Sequence, residues 1–532
     1  MKKSMSLLLV LALLLTGVLG GCGAPAGNAQ SKAPAASAAL SADTEIVAGA
    51  ANLADSMDPY TSTQGIEATS RNSIYDSLLA HDENGKIVGR LAESWEFNED
   101  GTLYTFHLRD DITFSNGDPI TAEDVAWSIQ MMADSPYRGW LYAGLYDHCE
   151  VVDERTVQVH FMTPAVFFEE YFAVINGAPI LSKSFYESCN GKYGTSVDTV
   201  LSSGPYVMTG WVPDEYITYE AREDYYRGAP EIKKAKLVPI TDMNAVAVAL
   251  QTGECHIFMD DLQGSSYASI EKVPNVTVTP CPSLITYYTY FNCEKGLFSD
   301  ARMRQAVAYA CNREDMVAAG ASGYGYVPNY LGDRGEGNEL QGDPKFGDIN
   351  PYKPDVEKAK ALVKEAGQEG ANVVIKTYGT DPYPALATVL QAQLSAIGLN
   401  ATVTQMERST LSSECLDNRD YEIMIVRASG VGNEMDEYFY GSLYSGLTGS
   451  NGNWGGLYTR AADLDPLLFA SRAASDPEER AKIFRQILDI YFEEMPYVLL
   501  YFQDGSRAHN SGLTVASAQA PDNSFYNYHF AG

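Results

Sequence analysis

Cys255 and His256 are adjacent, and thiolate and imidazole are the side chains that zinc and nickel favour. No second His or Cys stands at metal-ligand spacing nearby, so the pair is read as structural and no metal site is expected. Nucleophilic and metal-assisted catalysis find little support either. The chain carries no Gly-x-Ser-x-Gly and no His-Glu-x-x-His motif, and its 7 histidines are spread over 532 residues. The glycine-rich run Gly320-Ala321-Ser322-Gly323-Tyr324-Gly325 lacks the spacing of a phosphate loop and follows no clear strand, so it reads as a flexible loop. Neither a catalytic residue nor a cofactor is expected, and a secreted hydrolase is only a remote alternative.

Charge points the same way. Asp and Glu number 69 against 37 Lys and Arg, a net of −32. A surface this acidic repels phosphate backbones, so nucleic acid is not an expected partner. With 45% hydrophobic and 20% charged residues, the composition is that of a globular protein, neither disordered nor many times membrane-spanning. The 35 tyrosines suit a polar-aromatic cleft and plain strand packing equally well.

The N-terminus carries a chemistry of its own. Lys2 and Lys3 precede an apolar or small-residue run, Ser6 to Gly21, too short for a comfortable membrane span. It ends Leu19-Gly20-Gly21-Cys22, which resembles the lipobox of bacterial lipoproteins. The resemblance implies a signal peptide over 1–21, lipidation of Cys22 and an extracytoplasmic protein anchored to the cell membrane by that lipid. Residues 22–42, rich in Ala, Gly, Ser and Pro, read as a flexible tether. Seven further cysteines, Cys149, Cys189, Cys255, Cys281, Cys293, Cys311 and Cys415, form no Cys-x-x-Cys pair and are expected to be mostly free thiols.

The elements that must position any site alternate between strand and helix. Strands are predicted over 44–49, 216–221, 275–279 and 498–502, and a helix over 67–79. A hairpin joins 93–97 to 102–108 across Asn98-Glu99-Asp100-Gly101. Thr121 is placed as a helix cap, with Glu123 and Asp124 in the first turn, and Ser299 as the cap of a helix reaching Cys311. Residues 372–378, 383–397 and 400–406 form a β-α-β unit, its helix ended by Gly398. Asp476-Pro477-Glu478-Glu479 starts a helix that Pro496 ends. About 490 residues at roughly 150 per unit suggest three α/β units.

Four segments then resemble the large extracytoplasmic solute-binding proteins of peptide-type ABC importers, family 5, the oligopeptide, dipeptide and nickel group. They are Leu91 to Arg109 continuing through Ile112 to Val125; Gly204-Pro205-Tyr206 with Asp224 to Pro230 and Ala249 to Glu254; Tyr290-Phe291-Asn292 with Phe298 to Val307; and Glu357 to Leu362 with Glu365-Ala366-Gly367. These motif residues read as scaffold, and Arg302 and Arg304 as partners of carboxylates. The resemblance implies an α/β, two-lobed fold of the periplasmic-binding-protein type II kind, with an additional domain inserted in lobe I. Lobe I is expected at 43–80, 199–288 and 500–532, the inserted domain at 81–198 and lobe II at 289–499, with hinges near 288 and 500. It further implies a monomer that captures a solute, foremost a peptide, and delivers it unchanged to ABC permease subunits. A non-peptide solute such as an oligosaccharide or metal chelate is the alternative.

Loops from all three units are expected to line the cleft: Thr61 and Ser62, Trp140 and Tyr142, Tyr324 and Tyr326, and Arg427 through Asp436 with Trp454. In peptide binders of this family, an aspartate after a tryptophan-ended strand pairs with the ligand's ammonium group. Here Arg427 falls at the tryptophan position and Gly430 at that of the aspartate, in a segment that runs on through Asn433-Glu434-Met435-Asp436. Glu434 or Asp436 is the candidate replacement. An arginine suits a carboxylate, phosphate or hydroxyl-rich group. The expected solute is therefore a modified or longer peptide, or a non-peptide with an acidic or polyhydroxyl group, and not free dipeptides in general.

Overall fold

A computed structural model describes residues 40–61, 67–262, 264–281, 283, 285–333, 345–429, 435–447, 453–456, 458–516 and 523–531. The expectations at Cys22, Ser62, Asn433 and Glu434 lie outside the described residues, as does the side chain of Asp436.

Two sheets carry the two lobes. The first has seven strands in the order 276–281, 505–510, 257–258, 46–50, 234–239, 216–221 and 206–212. Strand Ile46–Ala50 runs parallel to both of its neighbours, and the remaining pairs are antiparallel. The second has six strands in the order 325–326, 497–503, 285–291, 423–429, 372–378 and 400–406. Its strands 372–378, 400–406 and 423–429 are mutually parallel, so Tyr378, Met406 and Ser429 end at one edge of the sheet. Strand Tyr497–Gln503 is buried at every position, as a central strand covered on both faces must be.

The inserted domain is a four-stranded antiparallel sheet in the order 92–97, 103–108, 156–161 and 146–153. Its strand Leu103–Leu108 alternates, with Tyr104, Phe106 and Leu108 inward. Helix Ala122–Ala133 starts in a full capping box in which Thr121 and Asp124 satisfy each other's backbone amides. The inserted domain and lobe I share one apolar core, from Ile46 and Ala48 to Phe106 and Phe172, while lobe II has its own.

Several expectations match in register. The β-α-β unit has strands Asn372–Tyr378 and Asn400–Met406 paired in parallel, and Gly398 holds the left-handed φ of +88°. Asp476 caps helix Pro477–Glu494 through the Glu479 amide. Three differ. The helix expected over 67–79 ends at Arg71, because Asp76 and Ser77 are fully buried and bond elsewhere: the Asp76 amide to Ser203 Oγ (3.0 Å), and Ser77 Oγ to the Leu79 carbonyl (2.8 Å). Asp300, not Ser299, caps helix Ala301–Ala310, its carboxylate accepting from the Arg302 amide at 2.9 Å. The passages between sheets run from Cys281 to Ile285 and across Asp504, a few residues from 288 and 500. Strand Ile285–Phe291 bonds along its whole length to second-sheet partners.

The family-like motifs are architectural. Asp76 is fully buried and accepts from Tyr225 Oη (2.9 Å) and Tyr226 Oη (3.3 Å). Arg302 pairs with Asp300 at 2.6 Å. Arg304, fully buried, pairs with Glu494 at 2.8 Å and donates to the Phe298 and Glu494 carbonyls. The seven described cysteines are all free thiols, and burial pushes Cys255, Cys281, Cys293 and Cys311 up to about 12, which leaves them unreactive. His256 Nδ1 accepts from the Val47 amide (3.0 Å) and Cys255 Sγ donates to the Ile257 carbonyl (2.9 Å), so that pair is occupied by backbone.

Candidate functional site

In open and mixed sheets, ligands collect at the carboxyl ends of parallel strands. At that edge of the second sheet stands Arg427, on the strand Ile423–Ser429 directly opposite Tyr287. Tyr287, Tyr378 and Tyr383 surround it: Tyr287 and Tyr383 have ring centroids 5.8 Å apart, Tyr378 and Tyr383 4.8 Å. Burial works against the Arg427 guanidinium, but the fields of Tyr383, Tyr287, Asp260 and Asp261 more than restore its charge. Tyrosines are neutral at neutral pH, so the acting charges there are the two aspartates. Arg427 has no carboxylate within 4.0 Å among the described residues. Arg408, exposed just past the end of strand 400–406, two places along the sheet, is likewise without an ion pair among them.

Asp260 and Asp261 come from the first sheet, just beyond its strand Ile257–Phe258. Their surroundings differ. Asp261 is tied down: it accepts from Arg507 Nη1 (3.1 Å), the Ser506 amide (3.0 Å) and Ser283 Oγ (3.3 Å). Among the described residues Asp260 accepts only from the Ala51 amide (2.6 Å) and Thr69 Oγ1 (3.2 Å), both neutral. Burial pushes its carboxyl above the usual range, against the pull of those bonds and of Arg427. The passage between lobes runs alongside, with Tyr287 Oη donating to Gln503 Oε1 (3.3 Å) and Gln503 Nε2 to the Leu262 carbonyl (3.0 Å).

The lobes also meet through the inserted domain. Trp140 packs against both cores, its indole over Gly441, where a Cβ would come within 3.3 Å. Arg472, fully buried on helix Ala461–Ala473, donates to the Leu141 (2.6 Å) and Ala143 (2.8 Å) carbonyls and lies 4.0 Å from the Tyr440 ring centroid. A recess of about 560 Å3 lined by Asn372, Gly398, Asn400 and Thr402 sits at the opposite, amino end of the parallel strands and carries no charged group.

The expected site residues therefore divide. Arg427 is at the facing edge and Trp140 at the contact between inserted domain and lobe II. Tyr324 stacks on Tyr267 of lobe I, centroids 4.0 Å apart, beside the crossing at Asp504. Tyr326 lies on Phe502 at the sheet's outer strand, and Thr61 is an exposed turn residue. Tyr142 is a correction: it is buried in the inserted domain's core, its hydroxyl donating to the Gly177 carbonyl at 2.9 Å. Trp454 is another. It packs on Tyr290 and its carbonyl accepts from Tyr421, at the start of the Arg427 strand and away from the end that bears the arginine. Sequence reasoning missed Asp260, Tyr287, Tyr378 and Tyr383. A signal existed in the short apolar strand running straight into Asp260-Asp261, and in the tyrosines of Ile285–Phe291.

Two sheet-based lobes facing one another across charges without an ion pair among the described residues, with an inserted domain reaching over, define a two-lobed solute-binding protein. The profile described as "Bacterial extracellular solute-binding proteins, family 5 Middle" matches residues 86–450. The chain belongs to that family. It is 26% identical over 513 residues to the glutathione-binding protein GsiB of Salmonella typhi, covering 90% of this chain and 93% of that protein. Its fold matches DppA of Helicobacter pylori, solved with the peptide STSA, at a TM-score of 0.80 and 22% identity, over 92% of this chain and 98% of that one. AppA of Bacillus subtilis, solved with a nonapeptide, matches at 0.77 and 23% identity over 92% and 99%.

Proposed function

We propose that this protein is the solute-capturing component of an ABC importer and that its solute is a carboxylate-bearing peptide or modified peptide. The observation that carries the reading is Arg427: a cation at the carboxyl edge of the second sheet, without an ion pair among the described residues, facing the first lobe. An arginine so placed binds a carboxylate through two parallel hydrogen bonds, and an empty, closed cleft would leave it uncompensated. The relatives support the class, since GsiB is a glutathione-binding protein and DppA and AppA were solved with peptides. Capture works by population shift. Contacts made to both lobes at once favour the closed form, which the permease distinguishes from the open one. The solute undergoes no chemistry. Diacylated Cys22 and the tether hold a monomer outside the membrane. Among the described residues no helix is long and apolar enough to cross a membrane.

Solution scattering with and without a peptide solute tests this reading. Compaction is expected, with the solute recovered intact. Cleaved product at catalytic rates would point to an enzyme instead. Changing Cys22 to Ala should release the protein or leave it unprocessed, and a native N-terminus mapped well beyond Cys22 would remove the anchor from the account.

A further inference from the structure

We propose that Asp260 and Arg427 together form a receptor for an α-amino-acid head, the ammonium bound by Asp260 of the first lobe and the carboxylate by Arg427 of the second. The inference rests on the solute-binding reading above and names the chemistry that the cleft selects.

The neighbouring pair shows why these two residues are available. Asp261 and Arg507 are already joined at 3.1 Å within the first lobe, and Asp261 is further held by a backbone amide and a serine hydroxyl. Asp260 is held by an amide and a hydroxyl but by no cation, and Arg427 by no carboxylate, among the described residues. Geometry brings them to one crossing: Tyr287, directly opposite Arg427, donates to Gln503, and Gln503 donates to the carbonyl of Leu262, two residues past Asp260; yet the two charges stand more than 4.0 Å apart, so neither neutralises the other by direct contact. A buried charge without its counter-charge is costly. A simple anion would satisfy Arg427 and be repelled by Asp260, and a simple cation would do the reverse. A zwitterion satisfies both, and because the two charges belong to different lobes, it also ties recognition to closure. The Asp260 oxygens are oriented by Ala51 and Thr69 before any solute arrives, which lowers the ordering cost of binding.

An ordinary α-linked peptide carries its ammonium and carboxylate at opposite ends. A peptide joined through a side-chain carboxyl carries both on one carbon, as does a free amino acid. The receptor therefore favours side-chain-linked peptides. It also supplies from the opposite lobe the acidic anchor sought at Glu434 or Asp436.

Calorimetric titration of the full chain with four probes tests this: γ-glutamylcysteinylglycine, its N-acetyl derivative, α-glutamylcysteinylglycine and dialanine. The γ-linked peptide should bind tightest, and N-acetylation should weaken it at least 10-fold. Asp260→Asn, which keeps the shape and can still accept from the Ala51 amide while its amide nitrogen donates to Thr69 Oγ1, should weaken the parent peptide by a similar factor and leave the acetylated one unaffected. A matching melting temperature would establish that the variant is folded. Equal binding of parent and acetylated peptide, or of parent peptide to wild type and Asp260→Asn, overturns the proposal. So does tight binding of dialanine with none of the γ-linked peptide. If no peptide binds, the zwitterion receptor is also overturned. Scattering with oligosaccharides and metal chelates then separates the two readings: compaction with one of them preserves the solute-binding reading, and its absence with all removes that reading too.

Discussion

Arg304 and Arg427 both lie in the second lobe, and the fold treats them differently. Arg304 is held by the Glu494 carboxylate and the carbonyls of Glu494 and Phe298. Arg427, at the carboxyl edge of the same lobe's sheet, has tyrosines around it and no carboxylate within 4.0 Å among the described residues. A buried guanidinium with a partner on each of its three nitrogens is architecture, and its loss strands a carboxylate. One left without an ion pair among the described residues at a sheet edge costs the folded protein something, and the proposed solute carboxylate would recover that cost. Asp261 and Asp260 repeat the contrast in the first lobe with the opposite sign.

Perturbing the paired site should have the largest effect. Arg304→Ala leaves Glu494 buried without a partner and should destabilise the protein by about 3–5 kcal/mol, read as a lower denaturant midpoint, while solute affinity per folded molecule stays unchanged. Arg427→Gln should do the reverse. Loss of a charge-assisted pair of hydrogen bonds weakens binding about 10- to 100-fold, with a melting temperature equal to or slightly above that of wild type. If Arg427→Gln destabilised the protein as Arg304→Ala does, the contrast between the two sites would collapse.

Closure contacts come next. Arg472 bonds the Leu141 and Ala143 carbonyls, which belong to the inserted domain, so Arg472→Ala should favour the open form. The expected effect is a roughly 10-fold faster dissociation with little change in association, since affinity changes within one interface fall mainly on the off-rate. Stopped-flow measurement of both rates checks this. The smallest effect is expected at Trp140, where Trp140→Ala removes packing over Gly441 and should weaken binding a few-fold by the same route. Trp454→Ala, in contrast, should lower stability and leave affinity intact, because Trp454, half-buried, packs on Tyr290 against the lobe II core.

Much of the scaffold was legible in the sequence. Caps such as Thr121 and Asp476, the Gly398 stop and the alternation of Tyr104, Phe106 and Leu108 act over a few residues, so local chemistry decides them. The segment 72–79 was misread as helix because its fate depends on Asp76 finding partners far along the chain, at Ser203 and Tyr225. The site was legible on one side only. Arg427 stood out as a charge where the family-like pattern has tryptophan. Its counterpart Asp260 is 167 positions away in the chain, in the other lobe, and no spacing rule links the two. Tyr142 and Trp454 misled for a related reason: an aromatic residue in a glycine-rich stretch looks the same in sequence whether it faces a cleft or fills a core.

The central claim is that Arg427 anchors a solute carboxylate between the lobes. A calorimetric double-mutant cycle tests it most directly, with γ-glutamylcysteinylglycine and its glutamyl α-carboxamide titrated into wild type and Arg427→Gln. The account predicts that the carboxamide loses at least about 10-fold in affinity for wild type and nothing further for the variant. An equal loss for both proteins would contradict it.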